Sequence, residues 1–248
     1  MPEGDTIFRA ATVLRRALAG RTVTELTLIA PKTSLAASRR TVVGGTVKAV
    51  ESNGKHLLIT FTTDGEDVVL HTHMKMTGMW HVYRPGERWW HAPSKARVVV
   101  RTDAYVAVCF TPPIVELFAA GEAALHPLLP ALGPDVIADG IGNEYKNEVL
   151  FLTSVWPWTK VRDLDDRTLE TILVTARDLM RRNRDGGARR TRFVLDRSQR
   201  VWVQERTDRP CYRCGTPIER GYHPGEFRKS WYCPSCQKAP RTEAATPA

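Results

Sequence analysis

The sequence predicts an α+β protein in two parts: an N-terminal helix with an antiparallel β-sandwich, then a helical region closed by a cysteine-bracketed β-hairpin. Three observations point there. Residues 22–118 carry many short apolar runs with no helical period between them. Helical periodicity precedes that stretch and returns after residue 140. Two Cys-x-x-Cys pairs, Cys211/Cys214 and Cys233/Cys236, flank a stretch of 18 residues near the C-terminus. A chain of 248 residues, 42% hydrophobic and 25% charged, suffices for one large or two modest domains with their own cores.

The first helix is expected at 4–19, with Ile7, Ala11, Leu14 and Leu18 on one face, Arg9, Arg15 and Arg16 away from it, and Gly20 closing it. Strands follow at Val23–Ile29, Thr46–Glu51, His56–Phe61, Val68–His71, Met79–Tyr83, Ala96–Arg101, Val106–Phe110 and Val115–Leu117. Asp64-Gly65 and Pro85-Gly86 are turn signals between them. Many strands without crossover helices mean antiparallel pairing. Pro127, Pro130 and Pro134 mark a linker that leads to Gly140-Ile141-Gly142-Asn143. Tyr145, Val149 and Leu152 then share a helical face, and a longer helix is expected at 166–183 with Leu169, Ile172, Leu173, Ala176 and Met180 inward. Asp165 and Asp166 suit its positive N-terminal end. Between Arg181 and Arg200 stand eight arginines and two acidic residues. The expected domains are 1–125, a linker at 126–140, a helical region at 141–187, a basic segment with the cysteine module at 188–238, and a disordered tail at 239–248.

A net charge of +9 and a pI near 9.6 favour a polyanionic partner such as nucleic acid. No run of about 18 apolar residues occurs, and the start lacks the basic-then-apolar order of a signal peptide, so a cytosolic address is expected. Five cysteines there argue against a disulfide framework. Each Cys-x-x-Cys pair can aim two thiolates at one point, and two pairs complete a tetrahedral S4 site for one structural Zn2+. Cys109, in an apolar run, reads as a buried thiol.

The chain opens Met1-Pro2-Glu3-Gly4-Asp5-Thr6. Loss of Met1 would leave a secondary amine that titrates near about 7.7–8.0, so it is partly unprotonated and nucleophilic at neutral pH. Such an amine can attack an aldehydic carbon and form a charged iminium without losing a further proton. A carboxylate, Glu3, follows it directly.

This order of features resembles the formamidopyrimidine-DNA glycosylase/endonuclease VIII family of base-excision repair enzymes, and Pro-Glu-Gly-Asp resembles its endonuclease VIII branch. The resemblance runs from residue 2 to about 237. It implies a DNA glycosylase and abasic-site lyase acting on damaged DNA, as a monomer, in the cytoplasm at the nucleoid and away from membranes. It implies Pro2 as nucleophile and Glu3 as general acid. Asn53-Gly54-Lys55-His56-Leu57 matches the strand that carries an essential lysine, here Lys55. His71-Thr72-His73-Met74-Lys75-Met76-Thr77-Gly78 resembles the loop that contacts phosphate and fills the gap behind the flipped nucleotide. His73 stands at the phosphate-contacting position, and Lys75, Met76 and Thr77 at the wedge. An apolar wedge offsets part of the few kcal/mol of stacking lost on extrusion. Asn143 matches an asparagine that grips phosphate at a helix start. Arg228, five residues before Cys233, matches the finger arginine assigned a part in δ-elimination.

Two departures stand out. Thr6 occupies the place of a glutamate found in many relatives, which blurs the lesion preference. Relatives also carry a helical stretch between Gly133-Pro134-Asp135 and the Gly-x-Gly-Asn turn, where this chain has only Val136 to Asp139 before Gly140. Four residues cannot form the first helix of the helix–two-turns–helix motif. Weaker duplex binding is therefore expected, with apolar positions exposed among Tyr145, Val149 and Leu152. A degenerate, non-catalytic damage-binding relative stays open as an alternative. So does an unrelated zinc-ribbon RNA-binding protein, although it leaves Pro2-Glu3 and Asn53-Gly54-Lys55 unexplained.

Overall fold

The structure is a computed structural model that describes residues 2–29, 31–38, 40–126, 140–184, 186–223 and 229–239. It divides into two compact units, Met1–Gly140 and Ile141–Ala248.

Unit 1 opens with α1 (Gly4–Leu18) and continues through β1 (Val23–Leu28), β2 (Lys32–Thr33), α2 (Leu35–Ser38), β3 (Val47–Asn53), β4 (His56–Phe61) and β5 (Val68–His73). It ends with β6 (Met79–Tyr83), β7 (Ala96–Thr102), β8 (Val106–Phe110) and β9 (Ile114–Ala119), followed by a 3-10 turn at Ala120–Leu125. Ile7, Ala11, Leu14 and Leu18 are buried as the period requires, and the helix packs on β3 and β6. Gly20 sits at φ +75° just past the helix and donates its N–H to the Val47 carbonyl at 2.9 Å.

One sheet runs β1-β7-β8-β6 and the other β2-β9-β5-β4-β3. Every pairing is antiparallel except β2, two residues long, which joins β9 in parallel (Lys32↔Glu116). That short strand lay outside the expected list, because Lys32 and Thr33 are exposed and carry no apolar signal. A single core cluster takes side chains from α1 and from both sheets, Ile59 and Leu70 on one side and Val98 and Cys109 on the other. Cys109 is wholly buried, and burial pushes its thiol well up. All five residues of β8 are buried, because Val106, Val108 and Phe110 face a second cluster covered by Trp89.

Unit 2 contains α3 (Asn143–Leu152), α4 (Asp166–Arg182), β10 (Glu219–Tyr222) and β11 (Lys229–Tyr232), the last two an antiparallel hairpin. Asp165 caps α4, its carboxylate accepting the Thr168 N–H at 2.6 Å. Two expectations are corrected here. Tyr145 and Val149 are buried and Leu152 is half-buried, the last because it packs against the core of Phe151, Val203, Ile218, Trp231 and the cysteines. On α4, Leu173 is 54% exposed and Leu179 is buried in its place, so the buried stripe runs through Ala176, Leu179 and Met180.

Candidate active site and metal centre

Pro2 is half-buried immediately ahead of α1, and Glu3 is completely buried. Glu3 is the helix N-cap, with an extended backbone (φ −122°) whose carbonyl accepts the N–H groups of Thr6 and Ile7 at 2.9 and 3.1 Å. The Gly4 N–H donates to the Gly140 carbonyl at 2.9 Å, which ties the first turn to the far end of the same unit. The chain start is thus held by backbone hydrogen bonds, and a carboxyl withdrawn from solvent lies next to the half-buried Pro2.

A second group forms where two strands end side by side. The β3–β4 loop is two residues, Gly54 and Lys55, between the paired Asn53 and His56. Gly54 has φ +57° at the first central position, the place where a type II′ turn needs glycine. Lys55 therefore lies in the turn, half-buried, rather than on the strand. His56 pairs with His73, so β5 brings His73 alongside that turn. The Lys75 N–H donates to His73 Nδ1 at 3.1 Å. With Nδ1 accepting, a neutral imidazole carries its proton on Nε2. Burial, followed by His71, Lys75 and Lys55, lowers the His73 pKa to about 4, so the ring is neutral at pH 7. Two ammonium groups acting on a neutral N–H donor are the kind of set that can attract an anion.

Lys75, Met76 and Thr77 project as an exposed turn, with Met76 67% exposed, whereas Met74 beside them is core. The base of that turn is tied: Thr77 Oγ1 donates to the Thr111 carbonyl at 3.0 Å and Thr111 Oγ1 returns the bond at 2.9 Å. Gly78 cannot be larger, since a Cβ there would lie 2.7 Å from Met74 Cα.

In unit 2 the sulfurs of Cys211, Cys214, Cys233 and Cys236 cluster, with Sγ separations of 3.4 Å (214–233), 3.5 Å (214–236) and 3.9 Å (211–236). Four thiolates about 2.3 Å from a tetrahedral zinc stand roughly 3.8 Å apart, so the set fits that ion. The hairpin between the pairs is locked by Trp158, whose Nε1 donates to the Tyr222 carbonyl at 3.0 Å and whose ring would collide with any Cβ at Gly221. Asn143 starts α3, but its amide Nδ2 donates to the Lys229 carbonyl at 2.9 Å, and its buried Oδ1 has no partner among the described residues. Lys146, one turn on, donates to Ser230 Oγ at 2.8 Å. The face of α3 expected to grip phosphate thus also anchors β11. Arg228, with residues 127–139 of the expected linker, lies outside the described residues.

Residues 1–113 match the formamidopyrimidine-DNA glycosylase N-terminal domain. The chain is 34% identical over 272 aligned positions to a protein of Streptomyces coelicolor named probable endonuclease 8 2, spanning 97% of this chain and 95% of that one. The chain belongs to the formamidopyrimidine-DNA glycosylase/endonuclease VIII family. It is also 32% identical to the DNA-(apurinic or apyrimidinic site) lyase Nei2 of Mycolicibacterium smegmatis, over 96% of this chain and all of that one. The same fold occurs in Lactococcus lactis Fpg solved with abasic-site-containing DNA, with a TM-score of 0.76, 16% identity, and coverage of 96% of this chain and 100% of that one.

Against its Streptomyces relative this family member has a deficit: 272 aligned positions against 248 residues leave at least 24 without a counterpart here. Of the family positions read from sequence, Pro2 with Glu3 and Lys55 with His73 and Lys75 form local groups in unit 1. The four cysteines and Asn143 belong to unit 2. Two polar groups escaped the sequence reading. One is Glu148, buried inside α3, which accepts from the N–H groups of Trp202, Val203 and Gln204 at 2.7–2.8 Å and from Thr191 Oγ1. Its only sequence signal is a carboxylate on the apolar face of a helix. The other joins His56, His71, Glu116 and His126, whose separations of 15, 45 and 10 positions mean little until strand register is known.

Proposed function

We propose that this family member is a bifunctional DNA glycosylase and abasic-site lyase that removes oxidised pyrimidines. With Met1 removed, the Pro2 amine attacks C1′ of a flipped nucleotide. The C1′–base bond breaks, and Glu3 supplies the proton that the departing base takes up. The sugar ring then opens at C1′–O4′, the amine's proton passing to O4′, and the iminium so formed acidifies the C2′ hydrogens; loss of one expels the 3′ phosphate, and continued elimination expels the 5′ phosphate. Lys55, His73 and Lys75 hold the flanking phosphate, and Met76 fills the vacated stack. Arg228, which precedes β11 in the sequence, takes a second phosphate. One structural zinc, held by Cys211, Cys214, Cys233 and Cys236, stiffens the β10–β11 hairpin and takes no part in bond breaking. The relatives' names, endonuclease 8 and abasic-site lyase, support the reaction class.

The observation that carries the reading is the complete burial of Glu3 beside a half-exposed Pro2 at the start of α1. A carboxyl withdrawn from bulk water exchanges its proton with the departing base without competition from solvent, and a partly exposed amine can reach a substrate carbon. The test is borohydride trapping on an oligonucleotide with an abasic site. The purified chain without Met1 should become covalently linked, and Pro2→Gly or an N-terminal extension should reduce linkage by orders of magnitude. Full trapping by the blocked protein would move the nucleophile to a lysine. The non-catalytic reading draws on the deficit of 24 positions, and absence of any trapping by a chain that still binds abasic DNA would favour it.

A further inference from the structure

The outer face of the five-stranded sheet carries a buried polar chain that the reaction above does not use. His56 on β4, His71 and His73 on β5 and Glu116 on β9 project from that face, because Leu57, Leu70 and Leu117 take the core side. Register sets His56 opposite His73 and His71 opposite Glu116. His71 Nδ1 lies 2.7 Å from Glu116 Oε2, His126 Nε2 lies 2.9 Å from the same oxygen, and His56 Nδ1 lies 2.8 Å from His71 Nε2. His71 is fully buried and His56 nearly so.

We infer that Glu116, acting through His71 and His56, is a positioning residue for Lys55 and His73. The inference rests on the reading that these two hold the flanking phosphate. Proton counting gives the direction of each bond. A carboxylate can only accept, so His71 donates from Nδ1. Its Nε2 is then the acceptor, and His56 must donate from Nδ1. Burial drives both rings toward the neutral form, His56 to about 3, which leaves this one consistent assignment. The His56 ring, stacked on His71 at 4.9 Å, meets the His73 ring edge-on at 4.6 Å. Lys55 is its neighbour in the chain. One acceptor in β9 thereby fixes a ring that packs against the phosphate-facing histidine and is joined to the lysine turn.

A cation held by His71, Glu116 and His126 is the competing account, since their ligand atoms lie within 4.8 Å of one another. The spacing argues against it. Ligands about 2.0–2.2 Å from a metal stand more than about 3 Å apart. Here the N···O separations are 2.7 and 2.9 Å, whereas the cysteine sulfurs do show metal spacing at 3.4–3.9 Å.

The experiment uses the full zinc-loaded chain with 15N-labelled histidine rings, read by NMR for which nitrogen carries the proton, together with affinity for duplex DNA containing an abasic-site analogue. The parent protein should show His56 and His71 protonated at Nδ1 and His73 at Nε2. Glu116→Gln, and His71→Asn, which keeps the donor to Glu116 but severs His56, should each blur the His73 assignment. Each should weaken binding by about tenfold, appearing in KM more than in kcat. His126→Asn removes a comparable buried ring yet leaves Glu116–His71–His56 intact, so His73 should remain Nε2-protonated. The inference fails if Glu116→Gln weakens binding with His73 unchanged, or if His126→Asn does what His71→Asn does. It also fails if the parent holds a second metal equivalent whose removal reproduces the loss. Undiminished binding by Lys55→Ala and His73→Ala would instead overturn the phosphate reading beneath it.

Discussion

Between Ile7 and Leu117 most buried positions are apolar, drawn from one helix and two sheets, with His56, His71, Thr72 and Thr102 the polar exceptions among the described residues. Between Tyr145 and Gln237 the buried set includes Asn147, Glu148, Asn183, Arg206 and Gln237. Unit 1 can rest on apolar area removed from water, at roughly 25 cal/mol per Å2. Unit 2 has a small apolar cluster and relies on polar groups that replace missing secondary structure. Glu148 gathers three backbone N–H groups from the irregular segment at 202–204. Asn183 closes α4 by donating Nδ2 to the carbonyls of Leu179 and Arg190 and accepting the Arg190 N–H. Gln237 bridges the Cys233 N–H and the Val155 carbonyl. A metal at the four cysteines would complete this set. The difference shows that a region short of core can be organised by a few saturated acceptors, each of which then becomes expensive to lose.

The largest effect should come from the cysteines. With zinc bound, Cys233→Ser or prolonged chelation should remove hydrogen-exchange protection from α3 and the β10–β11 hairpin while β4 and β5 keep theirs, because structural zinc sites bind with about 10–16 kcal/mol. Unchanged exchange in unit 2 of a metal-free chain would erase the contrast between the two regions. Next, Glu148→Ala should destabilise unit 2 by about 3–5 kcal/mol, since it strands several buried donors at once. Burial pushes the Glu148 carboxyl up while its four donors pull it down, and Glu148→Gln should cost less than Ala because one acceptor survives. Urea unfolding read on Trp202 would measure it, and a loss below about 1 kcal/mol would refute the organising role.

A smaller, pH-linked effect belongs to unit 1. His56 and His73 titrate at about 3 and about 4 when folded, against 6.5 when unfolded. Between pH 6.5 and 4 the unfolded chain therefore binds more protons, so stability is full above 6.5 and falls on acidification through that window. Exchange of β4 and β5 amides should quicken accordingly, and His73→Gln should flatten the slope. A slope unaffected by His73→Gln would mean that other groups carry it. The smallest effect is expected at Leu173→Lys on the exposed side of α4, within about 0.5 kcal/mol. A loss above 2 kcal/mol would show that this side of the helix is covered after all.

The elements most legible in the sequence were those whose period survives into the fold. Helix α1 shows its buried face at Ile7, Ala11, Leu14 and Leu18, and β4 alternates as Leu57, Ile59 and Phe61 inward. The proposed anion site was suggested only by resemblance, because a lysine after Asn-Gly is ordinarily a solvated turn residue. What makes Lys55 part of a site is His56↔His73, a pairing across strands. Leu173 was misplaced because helical spacing marks a candidate stripe without saying which part of it another element covers. The half-burial of Leu152 was missed for the converse reason: its cover comes from Val203, Ile218 and Trp231, more than fifty positions later.

By itself the sequence determined the order of parts, the strand-rich first half, the four-cysteine cluster and the family. Local period and fixed Cys-x-x-Cys spacing act over a few residues, and a short chain segment suffices to express them. Tertiary structure alone decided that Glu3 is withdrawn from water, that Asn143 binds the Lys229 carbonyl, and that Glu116 reaches His56 through His71. Those facts depend on strand register and on contacts between residues 15 to 86 positions apart, where no local preference acts and only packing chooses the partner.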